Sequence, residues 1–416
     1  MIRKKYRQQS IATALCTLSL IGASPAQALN LSENLEFSGF ARIAVGYLDT
    51  DEKELDGYSN DVSATQQSLI AIQPTYHFSD SFSLTSQLMA HANSDRDSGL
   101  EWLYLSYRPD NAWHLRAGRL RMPFFYYSDS IDVGYSYPWM TPPLQVYNNY
   151  LFTTFDGISA SYFYSGRELG LYLEAYYGNY DGDLYLAGGK IDIDARLEDM
   201  AGLVVMLQRN NVALRLSYHA GYNRSTIPQL QPLISTLRQY GFDRSADSLG
   251  ADGPVRTLQA SLSYDTLNSF YRAEWVKTRT PFDLASNFSG YYVMAGRNIG
   301  DWSVFLTLAG TEYNDVEPEQ ELPPPNIPPA SELDVLSASY YSVFDRTPSG
   351  TVNSISLGTR WDFRSNMALK AEVGYYEEDK TYSGYFDTPA SDANLKNDDT
   401  SDTSGTLIQA GWEWVF

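Results

Sequence analysis

From about residue 35 to its last position, this chain alternates apolar and polar residues in runs, and the connections between the runs are short and long by turns. Period-two alternation sends successive side chains to opposite faces, so each run reads as a strand with one apolar face. In 168–177, Leu169, Leu171, Leu173, Ala175 and Tyr177 share a face, against Gly170, Tyr172, Glu174 and Tyr176. In 211–220, Val212, Leu214, Leu216, Tyr218 and Ala220 oppose Ala213, Arg215, Ser217 and His219. Sixteen such runs lie near 35–48, 66–78, 82–92, 100–108, 112–121, 157–165, 168–178, 199–208, 211–221, 255–265, 269–279, 288–298, 301–311, 352–363, 367–377 and 405–416. Every second connection is turn-like: FSDSF, RPDNAW, SGRE, QRNN, DTLNS, NIGD and DFRSNM. The others are long, reaching some forty residues between 311 and 352.

An even number of strands with alternating tight and long connections predicts an all-β chain, a 16-stranded antiparallel transmembrane β-barrel. Strands of about 9–11 residues suit a tilted crossing of the bilayer. In hydrocarbon every backbone polar group needs a partner within the protein, and only closure supplies one at both edges of a sheet. A soluble sandwich has no reason to keep its long loops to every other connection. The abundant tyrosines, 33 in all, read mostly as girdles at the membrane–water boundary, where an apolar ring with a polar tip is at home.

The N-terminus fits export. Arg3, Lys4, Lys5 and Arg7 precede an apolar stretch from Ile11 to Ala23 and the triplet Ala26-Gln27-Ala28, the pattern of a signal peptide cleaved after residue 28. The barrel domain is then 29–416. Removing 1–28 deletes four bases and no acid, taking the formal net charge from −20 to −24. The only cysteine, Cys16, goes with the leader, so the mature chain has neither disulfides nor a thiol nucleophile.

A barrel of this size encloses water rather than a packed interior. The alternation rule turns Arg42, Arg116, Arg215, Arg272, Arg360 and Lys370 inward, with Glu174, Asp265, Glu274, Asp362 and Glu372. Strand five ends in LRAGRLRMP, where Arg116, Arg119 and Arg121 crowd together, Gly118 marks a possible bulge, and Met122-Pro123 stops the strand. The third external connection follows, from 122 to about 150, with Pro138, Pro142 and Pro143 and the aromatics Phe124, Phe125, Tyr126, Tyr127, Tyr135, Tyr137 and Trp139. So apolar a loop suits a position folded back into the lumen.

The terminal GTLIQAGWEWVF resembles the closing strand of bacterial outer-membrane proteins, which their insertion machinery reads. Strand number, leader, closing strand and third loop together resemble the general bacterial porins. The stretch GRLRMPFFYYSDSIDVGYSYPWMTPP also looks like one found in porin-like proteins of marine gammaproteobacteria. The resemblance implies passive diffusion of small hydrophilic solutes and ions, an outer-membrane location, a homotrimer, and a third loop that narrows the pore. It also implies a constriction with acids on the loop facing bases on the wall. Asp129 and Asp132 match the acidic side. Arg42 and Arg116 match the wall, with Arg119 and Arg121 beside them and Arg215, Arg272 and Arg360 elsewhere in the lumen. The loop lacks a PEFGG-like motif, and the same arginines could instead anchor the loop or bind lipid head groups.

Charge is concentrated in four external loops. Residues 49–64 hold six acids and one base, 179–199 six and two, 312–351 eight and one, and 377–403 eight and two. An acidic mouth concentrates cations; divalent ions bridging these carboxylates to lipopolysaccharide phosphates, or plain solvation, are the alternatives. The seventh loop, with PEQELPPPNIPPASELD, reads as a stiff exposed crown. The four histidines sit in no HExxH and GxSxG is absent, so no catalytic residues, cofactor or metal are expected. A channel selective for an anion, a dicarboxylate or a sugar, an outer-membrane hydrolase, and an adhesin remain as alternatives, and nothing suggests nucleic acid.

Overall fold

The computed structural model describes residues 29–416 except 51–52, 95, 149–151, 187–190, 285, 327–328, 330, 345–346, 348, 380–384 and 388–402. The proposed leader, 1–28, lies outside the described residues. Strands β1 (Leu35–Asp49), β2 (Leu69–His77), β3 (Phe82–His91) and β4 (Gly99–Tyr107) open the wall. They are followed by β5 (Trp113–Arg121), β6 (Thr154–Ser165), β7 (Gly170–Leu186) and β8 (Ile191–Arg209). Next come β9 (Val212–Ser225), β10 (Ala251–Asp265), β11 (Ser269–Arg279) and β12 (Phe288–Ile299). The series ends with β13 (Trp302–Tyr313), β14 (Gly350–Arg364), β15 (Met367–Asp379) and β16 (Thr403–Val415). Each pairs antiparallel with the next, and β16 returns to β1 over Thr406↔Asp49 to Val415↔Phe40, so the sheet closes. A seventeenth segment, Leu29–Ser32, pairs with the foot of β1.

The sixteen strands fall where the alternation places them, because one face meets lipid and the other does not. Polarity is inverted relative to a soluble protein. Leu203, Val293, Leu306 and Leu308 are exposed, while Gln87, Ser161, Glu174, Gln259, Ser263 and Gln409 are buried. An apolar outside and a polar inside fit a cylinder in hydrocarbon. Beside the short turns the outer face carries aromatic pairs: Phe82 on Tyr107 with centroids 4.4 Å apart, Trp113 with Tyr162 at 5.0 Å, and Trp302 stacked on Trp361 at 5.2 Å. Tyr177, Tyr222, Tyr291 and Tyr375 stand exposed nearer the other rim. These rings occupy the two interfacial girdles expected of tyrosine and tryptophan. Leu306→Arg, in the band between them, should destabilise the barrel by about 2–4 kcal/mol. Equilibrium refolding into lipid vesicles checks this, with Leu306→Phe as the near-neutral control.

Two external loops differ from expectation. Residues 179–199 were expected to form a loop; instead β7 and β8 run on as a hairpin with Leu186 opposite Ile191. Within this hairpin Asp181 stands opposite Arg196 and is joined to it at 3.1 Å, while Asp183 faces Asp194. The strand alternation continues through Ile191–Glu198, with Ala195 and Leu197 buried, so the signal is in the sequence beneath the charge. The fifth and seventh loops carry helices that strand periodicity did not reveal: α2 (Gln231–Gln239), α3 (Asp243–Ser248) and α4 (Glu332–Phe344). A four-residue helix, α1 (Leu144–Tyr147), lies in the third loop. Ser331 caps α4, its hydroxyl accepting from the Asp334 amide at 3.1 Å and donating to the Asp334 carboxylate at 2.8 Å. Leu336, Tyr340 and Phe344, four residues apart, pack against Ile234, Leu237, Ala246, Leu249 and Leu322. The seventh loop thus packs α4 and Leu322 into a cluster, while its proline stretch stays exposed at Pro323, Pro324 and Pro329.

Candidate functional site

The third external connection builds the site. At the top of β5 the Met122 amide donates to Thr153 O at 2.8 Å, which finishes the β5–β6 ladder. Pro123 has no amide to continue it. From there the chain bonds to side chains on the lumen face of strand after strand. Arg215 of β9 donates to Pro123 O at 2.6 Å and Phe124 O at 3.3 Å. Glu274 of β11 accepts from the Tyr126 amide at 2.8 Å and the Tyr147 hydroxyl at 2.7 Å. Thr307 of β13 accepts from the Trp139 indole at 2.8 Å. Arg360 of β14 donates to Tyr135 O at 2.7 Å and Tyr137 O at 3.0 Å. On β15, Lys370 donates to Gly134 O at 2.5 Å and Trp139 O at 2.7 Å, and Glu372 accepts from the Met140 amide at 2.9 Å. Arg42 of β1 donates to the Tyr137 hydroxyl at 2.6 Å and to Glu413 of β16 at 2.8 Å.

These bonds explain why the wall carries both signs of charge. A loop without regular structure leaves amides and carbonyls unpaired, and burying them bare costs about 1–3 kcal/mol each. Cationic side chains meet the carbonyls, and carboxylates meet the amides. The aromatic side chains fill the space between. Tyr127, Tyr137, Trp139 and Tyr147 join Tyr292 and Phe305 of the wall in one buried cluster. Trp139 meets Tyr292 edge-on at 5.3 Å. Gly134 permits the closest approach, since a Cβ there would run into Glu413 and Arg42.

The structure divides the predicted residues into three groups. Arg42, Arg215, Arg272 and Arg360 contact the third loop, Arg272 through the Tyr127 hydroxyl at 3.3 Å. Arg121 and Asp132 form an ion pair with each other, and Arg121 also reaches Glu101 at 3.3 Å and the Trp102 ring at 4.7 Å. Burial opposes the charge on Asp132, but the Arg121 guanidinium outweighs it and holds the carboxyl below its usual range. Arg116 pairs with Glu174 of β7, also bonds Ser159 at 3.0 Å, and feels the charge of exposed Asp129. Arg119 does not join them. It is three residues from Arg116, hence on the outer face, and pairs with its cross-strand neighbour Asp156 at 3.1 Å. Gly118 introduces no register shift, but its φ of 135° and the nearness of Leu103 O leave no room for a side chain.

Sequence reasoning missed Glu413, Glu101 and Thr307. The signal for Glu413 was present: Ile408, Ala410, Trp412 and Trp414 face outward, so Glu413 between the two tryptophans faces in.

A closed cylinder with an apolar exterior and a charged interior is an outer-membrane channel protein. A family model described as Gram-negative porin matches residues 12–381. The chain belongs to the Gram-negative porin family. No match was found among curated protein sequences. Among solved structures, the Salmonella typhi OmpF complex with daunomycin is similar at 12% identity and TM-score 0.56, over 94% of this chain and 100% of that one. The anion-selective porin of Comamonas acidovorans is similar at 13% and 0.55, over 92% and 99%. The outer-membrane channel DcaP of Acinetobacter baumannii is similar at 11% and 0.54, over 94% and 100%. At these identities the likeness concerns the fold. Family and fold together make the protein an outer-membrane channel for passive diffusion.

Proposed function

We propose that the third loop crosses the lumen and confines the passage of small hydrophilic solutes and ions to the side lined by β4–β7. The observation that carries this reading is the run of bonds from residues 123–147 to β9, β11, β13, β14, β15 and β1, strands far round the wall from the β5 and β6 ends. On the remaining side, the exposed Asp129 of the loop lies within electrostatic reach of Arg116, which is paired with buried Glu174 of the wall. Solutes there meet the Asp129 carboxylate, with the charge of Arg116 balanced by Glu174. With acidic outer loops above, the passage favours cations over anions of equal size. Anion selectivity is a property of the Comamonas acidovorans porin, and a shared fold does not carry it here.

The reading includes no enzymatic step. The pair His219 Nε2 and Ser217 Oγ, 2.9 Å apart, has Tyr176 rather than a carboxylate on the other ring nitrogen, and Phe124 packs edge-on against the imidazole. Cleavage after residue 28, contact with lipopolysaccharide, delivery by the insertion machinery and a homotrimer complete the proposal. One fold neighbour, OmpT of Vibrio cholerae, is described in a trimer form.

Reversal potentials in planar bilayers test the selectivity. In a tenfold KCl gradient the sign should report cation preference, shrinking as the lower salt concentration is raised and the Debye length falls toward about 3 Å at 1 M. Asp129→Asn should weaken the preference. An anion preference that survives this substitution defeats the assignment.

A further inference from the structure

The passage side of the lumen carries more ring surface than ion passage requires. On the β6–β7 pair, the lumen-facing rungs near the short turn are Phe163 opposite Tyr172, rings 4.8 Å apart, then Ser161 opposite Glu174. Phe163 is 46% exposed, although it is on the inner face and large. Toward the outer mouth, Tyr180 of β7 stacks on Phe152 at 4.7 Å, and Phe152 meets Phe124 edge-on at 5.5 Å. These three rings are half-buried rather than sealed in the cluster behind them. Between the two aromatic groups sits the Arg116–Glu174 pair, within electrostatic reach of the exposed Asp129, and the Tyr172 hydroxyl donates to Glu174 at 2.6 Å. The sequence from outside to inside is thus ring, charged centre, ring.

We propose that this lane is a sliding site for neutral sugars, chiefly short oligosaccharides. The inference rests on the passage lying along β4–β7. Pyranose rings present C–H faces to aromatic rings and paired hydroxyls to planar polar groups. Arg116 donates to such hydroxyls and the exposed Asp129 accepts from them, while buried Glu174 holds Arg116 in place. Inorganic anions gain nothing from the rings, and small cations gain only attraction to a ring face, leaving paired hydroxyl recognition unused. Aromatic anions would use the rings but meet the Asp129 carboxylate beneath an acidic mouth. Neutral polyols with flat apolar faces satisfy both halves of the lane. Rings at both ends let a chain of several sugars keep one contact while making the next.

Maltotriose is the probe, with a polyethylene glycol of matched hydrodynamic size as the control. Ion current through single channels in planar bilayers shows first that the pore exists. Maltotriose should then interrupt that current reversibly and in proportion to concentration, under conditions where the glycol does not. Phe163→Ala with Tyr172→Ala, and separately Phe152→Ala with Tyr180→Ala, should each weaken the block about tenfold, as expected for losing two ring contacts. Conductance of the same variant channels verifies that they have folded. Open channels that maltotriose does not block overturn the sugar site while leaving the pore intact. Equal block by the glycol, or block only by benzoate or benzylammonium, overturns it too. Absence of any ion current overturns instead the channel reading beneath it.

Discussion

Replacing residues 124–147 with a short glycine–serine linker should raise single-channel conductance severalfold and leave the β-sheet circular dichroism in place. β5 and β6 are adjacent, in register from Trp113↔Tyr162 to Arg121↔Thr154, so a brief turn can join them. The wall does not depend on the loop for its backbone pairing, because each strand is bonded to both neighbours. The excised segment takes with it the loop's share of the buried aromatic cluster, Phe125, Tyr127, Tyr137, Trp139 and Tyr147. Water then reaches Arg42, Lys370 and Glu372, which lose their loop partners but regain hydration, and Glu413, which keeps Arg42 and Lys370. Thermal stability should fall, since Trp139 alone is a fully buried side chain of the kind whose truncation costs about 3–5 kcal/mol. Unchanged conductance in the shortened variant would mean that the segment does not restrict the passage.

The second large effect is expected at Lys370. Its ammonium donates to two loop carbonyls, lies 3.8 Å from Glu413 and sits 4.7 Å from the centre of the Tyr137 ring. Lys370→Met keeps the length of the side chain but leaves Gly134 O and Trp139 O without this donor and Glu413 with less positive charge beside it. Removing one partner from a buried charged set costs about 3–5 kcal/mol. The melting temperature in detergent should drop, and the current should flicker as the loop tip loosens. Arg119→Ala is the matched control. Its pair with Asp156 is about half exposed, and such pairs contribute roughly 0–1 kcal/mol. Equal losses in both variants would remove Lys370 as the clamp on the loop tip.

The barrel was legible because lipid on one side and water on the other impose the same alternation on every strand. Where that contrast ends, legibility ends. The β7–β8 hairpin carries Asp181, Asp183, Asp194 and Arg196, a charge density that reads as a solvated loop although Ile191–Glu198 alternates apolar with polar. In the fifth and seventh loops the helices bury small polar residues beside apolar ones, Ser245 with Ala246 and Ser337 with Leu336, so no clean apolar stripe stands out between the strands. At the site, parity sufficed to turn Arg42, Arg116, Arg215, Arg272 and Arg360 inward and could have turned Arg119 outward. It could not foresee what they touch. Of the expected basic wall, Arg116 is paired with Glu174 of β7. Arg42, Arg215 and Arg360 instead hold Tyr137, Pro123 and the carbonyls of the loop, and that depends on the loop's path rather than on strand period.

Rolling one ribbon into a tube leaves a single seam, between β1 and β16. Three kinds of stitch cross it here. The Gly39 and Phe416 backbones exchange bonds at 2.9 Å at the base, Arg42 grips Glu413 inside, and the dipeptides Glu54–Leu55 and Phe386–Asp387 pair beyond the rim. The two edges being sewn are joined by residues 371 positions apart, so the loop to be closed is very long. Zipping must therefore come late in assembly, and a truncated product that lacks its final aromatic residues would be left as an open sheet with two sticky margins in the membrane.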